Sequence, residues 1–127
     1  MDKRETFGIF IKEKRLGTNP KMTLKAMSEE LEINLTLLSD IESGRKNPFS
    51  ADKIERFCEI LKLSDEEKAH MYDLAARDID AVPEDISEEI MYTEYGDIAR
   101  KALRMTRDGQ IDEDEWKNFI RRMENKK

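Results

Sequence analysis

Residues 34–48, NLTLLSDIESGRKNP, decide how this chain is read. Asn34 carries a side chain suited to capping a helix start. Leu38 and Ile41 lie three apart and face one way. Gly44 supplies the left-handed residue that stops a helix. Arg45, Lys46, Asn47 and Pro48 follow at once. The stretch predicts a short helix ending at about Ser43, with two cations just beyond it.

Upstream, Thr23 is a fit N-cap, and Leu24, Met27 and Leu31 are spaced three and four apart, which predicts a helix over about 23–31. Glu32, Ile33 and Asn34 then turn the chain. Before them, Phe7, Phe10 and Ile11 share a face of a helix over about 3–16, with Gly17 as its stop and a loop after it. Downstream, a helix starts at Ser50. Phe49 and Ile54 flank that start as a hydrophobic staple, and Ile54, Phe57, Cys58 and Leu61 form its apolar stripe. The run SDEE, 64–67, is a capping box for a fifth helix with Met71, Leu74 and Ala75 inside. No stretch reads as a strand, so the chain is expected to be all-α.

Past residue 78 the composition shifts. The run DIDAVPEDIS, 78–87, holds Pro83 among acids and reads as a linker. A helix follows over about 92–107, Asp108 and Gly109 break it, and Asp112 with Glu115 caps a last helix carrying Trp116, Phe119, Ile120 and Met123. The expected organisation is a domain over 1–78, then a linker and C-terminal helical segment over 79–127. Met91, Met105, Met123, Ile90, Tyr92, Tyr95, Trp116 and Phe119 make an apolar set too large for two helices to hide alone. Either they fold back on the first domain or they form a dimer or partner surface.

The 127 residues carry a net charge of −6, which by itself argues against a polyanionic partner. The charge is uneven, however. Lys3, Arg4, Lys12, Lys14, Arg15, Lys21 and Lys25 face only Glu5 and Glu13 in their part of the chain, whereas 108–115 holds five acids and no base. A single cysteine, Cys58, excludes an internal disulfide and fits a reducing compartment. No apolar run reaches the ~18–20 residues of a membrane span, and the charged N-terminus lacks an apolar signal segment. A cytoplasmic protein is expected.

Two helices joined by a three-residue turn, with apolar residues at Met27, Leu31, Ile33, Leu38 and Ile41 where they cross, have the spacing of a helix-turn-helix. The run TLKAMSEELEINLTLLSDIESGRKNP, 23–48, resembles the phage-repressor and Cro-like helix-turn-helix regulators, the XRE family. The resemblance spans about 4–78 and is closest at LSDIESGRKNP. Two positions depart from the family pattern. Ser28 stands where that family usually has alanine; its hydroxyl can bond back to a carbonyl one turn earlier. Glu32 stands where it usually has glycine, at a turn wanting positive φ, which costs about 1 kcal/mol.

The resemblance implies a five-helix phage-repressor-like domain followed by a C-terminal helical extension. It implies a homodimer on operator DNA, with the third helix in the major groove. Carried over by position, Leu35, Thr36, Leu37, Ser39 and Asp40 face the bases. Leu35 and Leu37 suit thymine methyls, Thr36 and Ser39 bond to several bases, and Asp40 suits a cytosine amino group. Phosphates would be held by Lys21, Thr23, Lys25, Ser43, Arg45, Lys46 and Asn47, helped by the dipole at the Thr23 end. Plainer roles stand beside these. In these, Leu35 and Leu37 are packing residues, Asp40 is a partner for Arg45, and Arg45 and Lys46 are solvated loop charges. Regulators of this kind often repress their own operon, and some serve as antitoxins. The alternative from another class is a protein-interaction module whose acidic C-terminal helices bind a partner such as a toxin.

Other signals are weaker. The run DGQIDEDE, 108–115, looks like the second half of a calcium-binding loop, but Arg104 and Thr106 would fill its first and third positions. Helix capping accounts for the same residues. One His and one Cys make no zinc cluster. His70 reads as a surface helix residue and Cys58 as core. No catalytic constellation is visible, and neither an enzyme nor a cofactor is expected.

Overall fold

The computed structural model describes residues 5–126, with eight helices and no strand among them. They are α1 (Phe7–Leu16), α2 (Leu24–Leu31), α3 (Leu35–Glu42), α4 (Ala51–Leu61), α5 (Asp65–Asp78), α6 (Ser87–Tyr92), α7 (Glu94–Arg107) and α8 (Glu113–Glu124). The chain divides into two compact units, Met1–Asp85 and Ile86–Lys127.

In the first unit the expected stripes meet in one core. Phe7, Ile11, Met27, Leu31, Leu38, Ile41, Ile54, Phe57, Met71 and Leu74 are all buried there. The Phe49 ring lies edge-on to Phe7, with ring centres 4.9 Å apart, and tilted against Phe57 at 6.1 Å. Helix α1 starts at Phe7, not at 3. Thr6 caps it by accepting from the Ile9 amide, so Glu5 and Thr6 precede the helix. Residues 3 and 4 lie outside the described residues. The capping box of Ser64 and Glu67 is formed as expected, whereas the Ser50 side chain makes no cap bond.

Three helices end on a left-handed residue that is not glycine: Glu32 at φ 56°, Lys62 at φ 54° and, past α5, Asp80 at φ 53°. Each is followed by an amide that closes the helix behind it. Ile33 donates to the Ser28 carbonyl, Leu63 to Cys58 and Ala81 to Ala76, at 2.9–3.0 Å. Glu32 thus takes the positive φ the turn requires. Ser28 is buried, and its hydroxyl donates to the Lys25 carbonyl at 2.7 Å, answering the other departure.

His70 is half-buried rather than on the surface. Its Nε2 lies 2.7 Å from Glu5 Oε1 and its ring packs edge-on to Phe10, because α1 runs along α5, with the Phe7 amide donating to Asp78 Oδ2 at 3.2 Å near one end and Lys14 paired with Glu67 near the other. Cys58 is core, as expected. Burial is the main cause that lifts its thiol to a pKa of about 11, so it stays protonated.

The second unit holds a helix absent from the sequence reading, α6, where a linker was expected up to 87. Its start at Ile86 lacks a side-chain cap bond. What holds it is α7. Gly96 lets the two helices approach so closely that a Cβ there would sit 2.1 Å from the Glu89 carbonyl oxygen. The Thr93 hydroxyl donates to the Glu89 carbonyl at 2.6 Å and accepts from the Gly96 amide at 2.8 Å, closing one helix and opening the next. Gly109, at φ 86°, ends α7. Asp112 and Glu115 form a reciprocal capping box on α8, so these two of the five carboxylates of the calcium-like run are engaged in the cap. Trp116 Nε1 donates to Thr106 Oγ1 at 2.8 Å, joining α8 to α7.

Candidate nucleic-acid interface

Helix α3 is split by its own sequence. Leu38, Ile41 and Glu42 are buried, while Leu35 is 45 % and Leu37 38 % exposed and Thr36 is also in solvent. The expected base-facing residues at its start therefore stand outward together. Ser39 and Asp40 are half-buried. Asn34 Oδ1 accepts from the Thr36 amide at 2.7 Å and the Leu37 amide at 3.4 Å, so the helix start is fixed by its own cap.

The loop after α3 is organised by Asp40. Its carbonyl accepts from the Arg45 amide at 2.8 Å, the Lys46 amide at 3.3 Å and the Ser43 hydroxyl at 3.0 Å. Its Oδ1 accepts from Arg45 Nε at 3.0 Å and pairs with Nη2 at 2.9 Å. Gly44, at φ 85°, lets the chain fold over in this way. The plainer role weighed for Asp40, a partner for Arg45, is present in the structure. Ser43, Arg45, Lys46 and Asn47 are all exposed.

At the other end of the motif, Lys21, Thr23 and Lys25 are exposed. Thr23 Oγ1 accepts from the Ala26 amide at 3.0 Å. This end is tied to α3 by a residue that the sequence marks only as one of its N-terminal cations. Arg15, on α1, donates from Nε and Nη2 to the two carboxylate oxygens of Glu42 at 2.8 and 2.9 Å, and from Nη1 to the Met22 carbonyl at 2.8 Å. Both side chains of the ion pair are only 6 % exposed. One guanidinium thereby joins α1, the end of α3 and the residue before the Thr23 cap. The forked geometry is the strong form of this pair. A signal for it existed. Arg15 continues the stripe of Phe7 and Ile11 at a spacing of four, and Glu42 lies four past Leu38. Opposite charges thus stand at core positions of two neighbouring helices.

Gly8 completes the fit between α1 and α3. A Cβ there would lie 2.5 Å from both the Ile41 and the Glu42 carbonyl oxygens. Arg15, Glu42 and Gly8 are positioning residues. They set where α3 lies without standing on its exposed face.

Among the described residues no His, Cys, Asp and Glu group has the grouping of a metal site. No described helix is long and apolar enough to cross a membrane. No curated protein and no solved structure matches the chain. A family described as a helix-turn-helix domain matches residues 7–71, from the start of α1 into α5 and just over half of the chain. The matched span contains α2, the Glu32 turn and α3, and the chain belongs to this helix-turn-helix family, in keeping with its XRE-like sequence.

Proposed function

We propose that the chain is a sequence-specific, DNA-binding transcriptional regulator of the cytoplasm, a repressor acting as a homodimer and no enzyme. It sets one α3 in each of two major-groove segments about one helical turn apart. The observation that supports this most is the division of α3, whose core side is complete while Leu35, Thr36 and Leu37 stand exposed at its start. In this reading Leu35 and Leu37 meet thymine methyls, and Thr36 and Ser39 bond to base edges. Asp40 gives Oδ1 to Arg45, so Oδ2 is the oxygen left for a cytosine amino group. Lys21, Thr23, Lys25, Ser43, Arg45, Lys46 and Asn47 hold phosphates and fix the register. The net charge of −6 is no obstacle, because screening beyond ~10 Å leaves local charge to govern the contact.

The test is titration of the full chain against a fluorescent duplex from its own upstream region and a scrambled duplex, at ~50 and ~200 mM salt. Preference for the native duplex, with affinity falling steeply in salt, is expected. Replacing Arg45 and Lys46 together by alanine is expected to weaken binding to all duplexes and flatten the salt slope by about two. Thr36→Ala is expected to shift the consensus selected from random DNA. Equal weak binding to both duplexes, with an unchanged salt slope in the double variant, overturns the reading.

A further inference from the structure

The second unit leaves its amphipathic faces open. No side chain of α8 is buried, and Gly96 is the only buried residue of α7. Ile98 is 68 % exposed, Leu103 55 %, Phe119 45 % and Ile120 51 %. On α8, Trp116, Phe119, Ile120 and Met123 form one stripe by helical spacing. Trp116 and Ile120 line a shallow groove along it, with Glu113, Lys117 and Arg121 at its borders.

Charge along these helices is polarised. Helix α8 has Glu113, Asp114 and Glu115 in its first turn and Arg121 and Arg122 in its last. Helix α7 runs the same way, from Glu94 and Asp97 to Arg104 and Arg107. A parallel copy of α8 would set acids against acids and bases against bases. An antiparallel copy brings each acidic start to a basic end. Glu115 and Arg122 are seven residues apart on one edge of the stripe, and the Arg122 guanidinium lies 5.8 Å from the centre of the Phe119 ring. In a two-fold antiparallel pair, that edge meets itself reversed, Glu115 against Arg122.

The four side chains of the α8 stripe, each giving up roughly 100 Å² of apolar surface, would bury on the order of 800 Å² over two copies, the size of a weak, concentration-dependent interface to which the charged edges of α8 have to add.

We infer that the α8 face is a homodimer surface, and that its occupant is the α8 of a second copy of this chain, antiparallel, with the stripe Trp116 to Met123 at its centre. This rests on the homodimer reading above and names its surface. The self-complementary charge favours a second copy over the chain's own first unit or an unrelated partner.

Sedimentation velocity of the full chain, without DNA, tests it. The parent is expected to sediment as a dimer at micromolar concentration. The double variant Phe119→Asp, Ile120→Asp is expected to sediment as a monomer with its far-UV circular dichroism unchanged. Arg122→Glu is expected to weaken the dimer about tenfold at low salt and less at high salt. A parent that stays monomeric at ~100 μM overturns the inference, and the face is then covered by the first unit or by a foreign partner. A dimer that survives the double variant also overturns it. If that variant loses helicity, Arg122→Glu decides, and an unchanged dimer affinity overturns the inference. DNA is absent throughout, so a failure here leaves the major-groove reading standing.

Discussion

Both units are built from amphipathic helices, and they end differently. Helices α1 to α5 close over a core of fourteen buried side chains and a forked internal ion pair. Helices α6 to α8 have equally regular stripes yet bury only Gly96. Amphipathic spacing states which side of a helix seeks cover. It does not state whether the same chain supplies that cover. In the first unit five stripes converge from several directions. In the second, α6 is six residues long and cannot shield two longer neighbours.

Breaking the internal ion pair should separate the units most sharply. Arg15→Ala leaves Glu42 buried and uncompensated and should cost about 3–5 kcal/mol, whereas Arg15→Met with Glu42→Leu should restore most of it. Urea unfolding followed by far-UV circular dichroism checks both. A loss under about 1 kcal/mol for Arg15→Ala would mean that the pair does not hold the first unit together.

The close approaches come next. Gly8→Ala should lower stability of the first unit by about 1–3 kcal/mol, because a backbone carbonyl has to give way. Gly96→Ala should instead force α6 away from α7 and lower the helicity of the second unit, while the transition of the first unit stays where it is. If both glycine variants shifted one shared transition, the two units would be a single cooperative structure.

Glu32→Gly works in the other direction. A left-handed residue without glycine at φ 56° should gain about 1 kcal/mol on relief. A loss of stability would show that the Glu32 side chain makes a compensating contact. The smallest effect belongs to the half-buried pair of Glu67 and Lys14, which still reaches solvent. Hydrogen bonds from Lys14 and then from the Ser64 amide hold the Glu67 carboxyl at about 2, below its ordinary 4.5. A lowered folded value contributes stability above pH 4.5 that is lost as pH falls toward 2. Glu67→Gln should therefore flatten the fall of the urea midpoint across that window, modestly, since the pair faces solvent. An unchanged slope would assign the acid sensitivity to other carboxylates.

Much of the first unit was legible because its signals are local. Phe7, Ile11, Leu38 and Ile41 fall at helical spacing, and Thr23, Asn34, Gly44 and the Ser64 box mark ends by short-range chemistry. Helix α6 was not legible. It has no cap signal, and its acids resemble linker composition; it exists through the tertiary approach at Gly96. The exposed side of α3 could be read from position, since Leu35, Thr36 and Leu37 stand in solvent. The pairing of Asp40 with Arg45 was weighed against base contact and could not be decided from spacing, because it depends on how the loop folds back. Arg15 and Glu42 were passed over because a charge at a core position looks like an interruption of a stripe until its counterpart is placed beside it.

The grip of Asp40 on the loop has a kinetic meaning. A free arginine gives up rotamer entropy when it docks, about 0.5–1.5 kcal/mol for a side chain of this kind. Arg45 is already tethered at two nitrogens, and its backbone and that of Lys46 are anchored to the same carbonyl. Much of that ordering has been done during folding, before any duplex arrives. Asp40→Ala would free the Arg45 guanidinium while the backbone anchors of Arg45 and Lys46 stay. Losing an acid beside these cations would quicken an encounter driven by charge, and the unaimed guanidinium would let the bound complex come apart sooner.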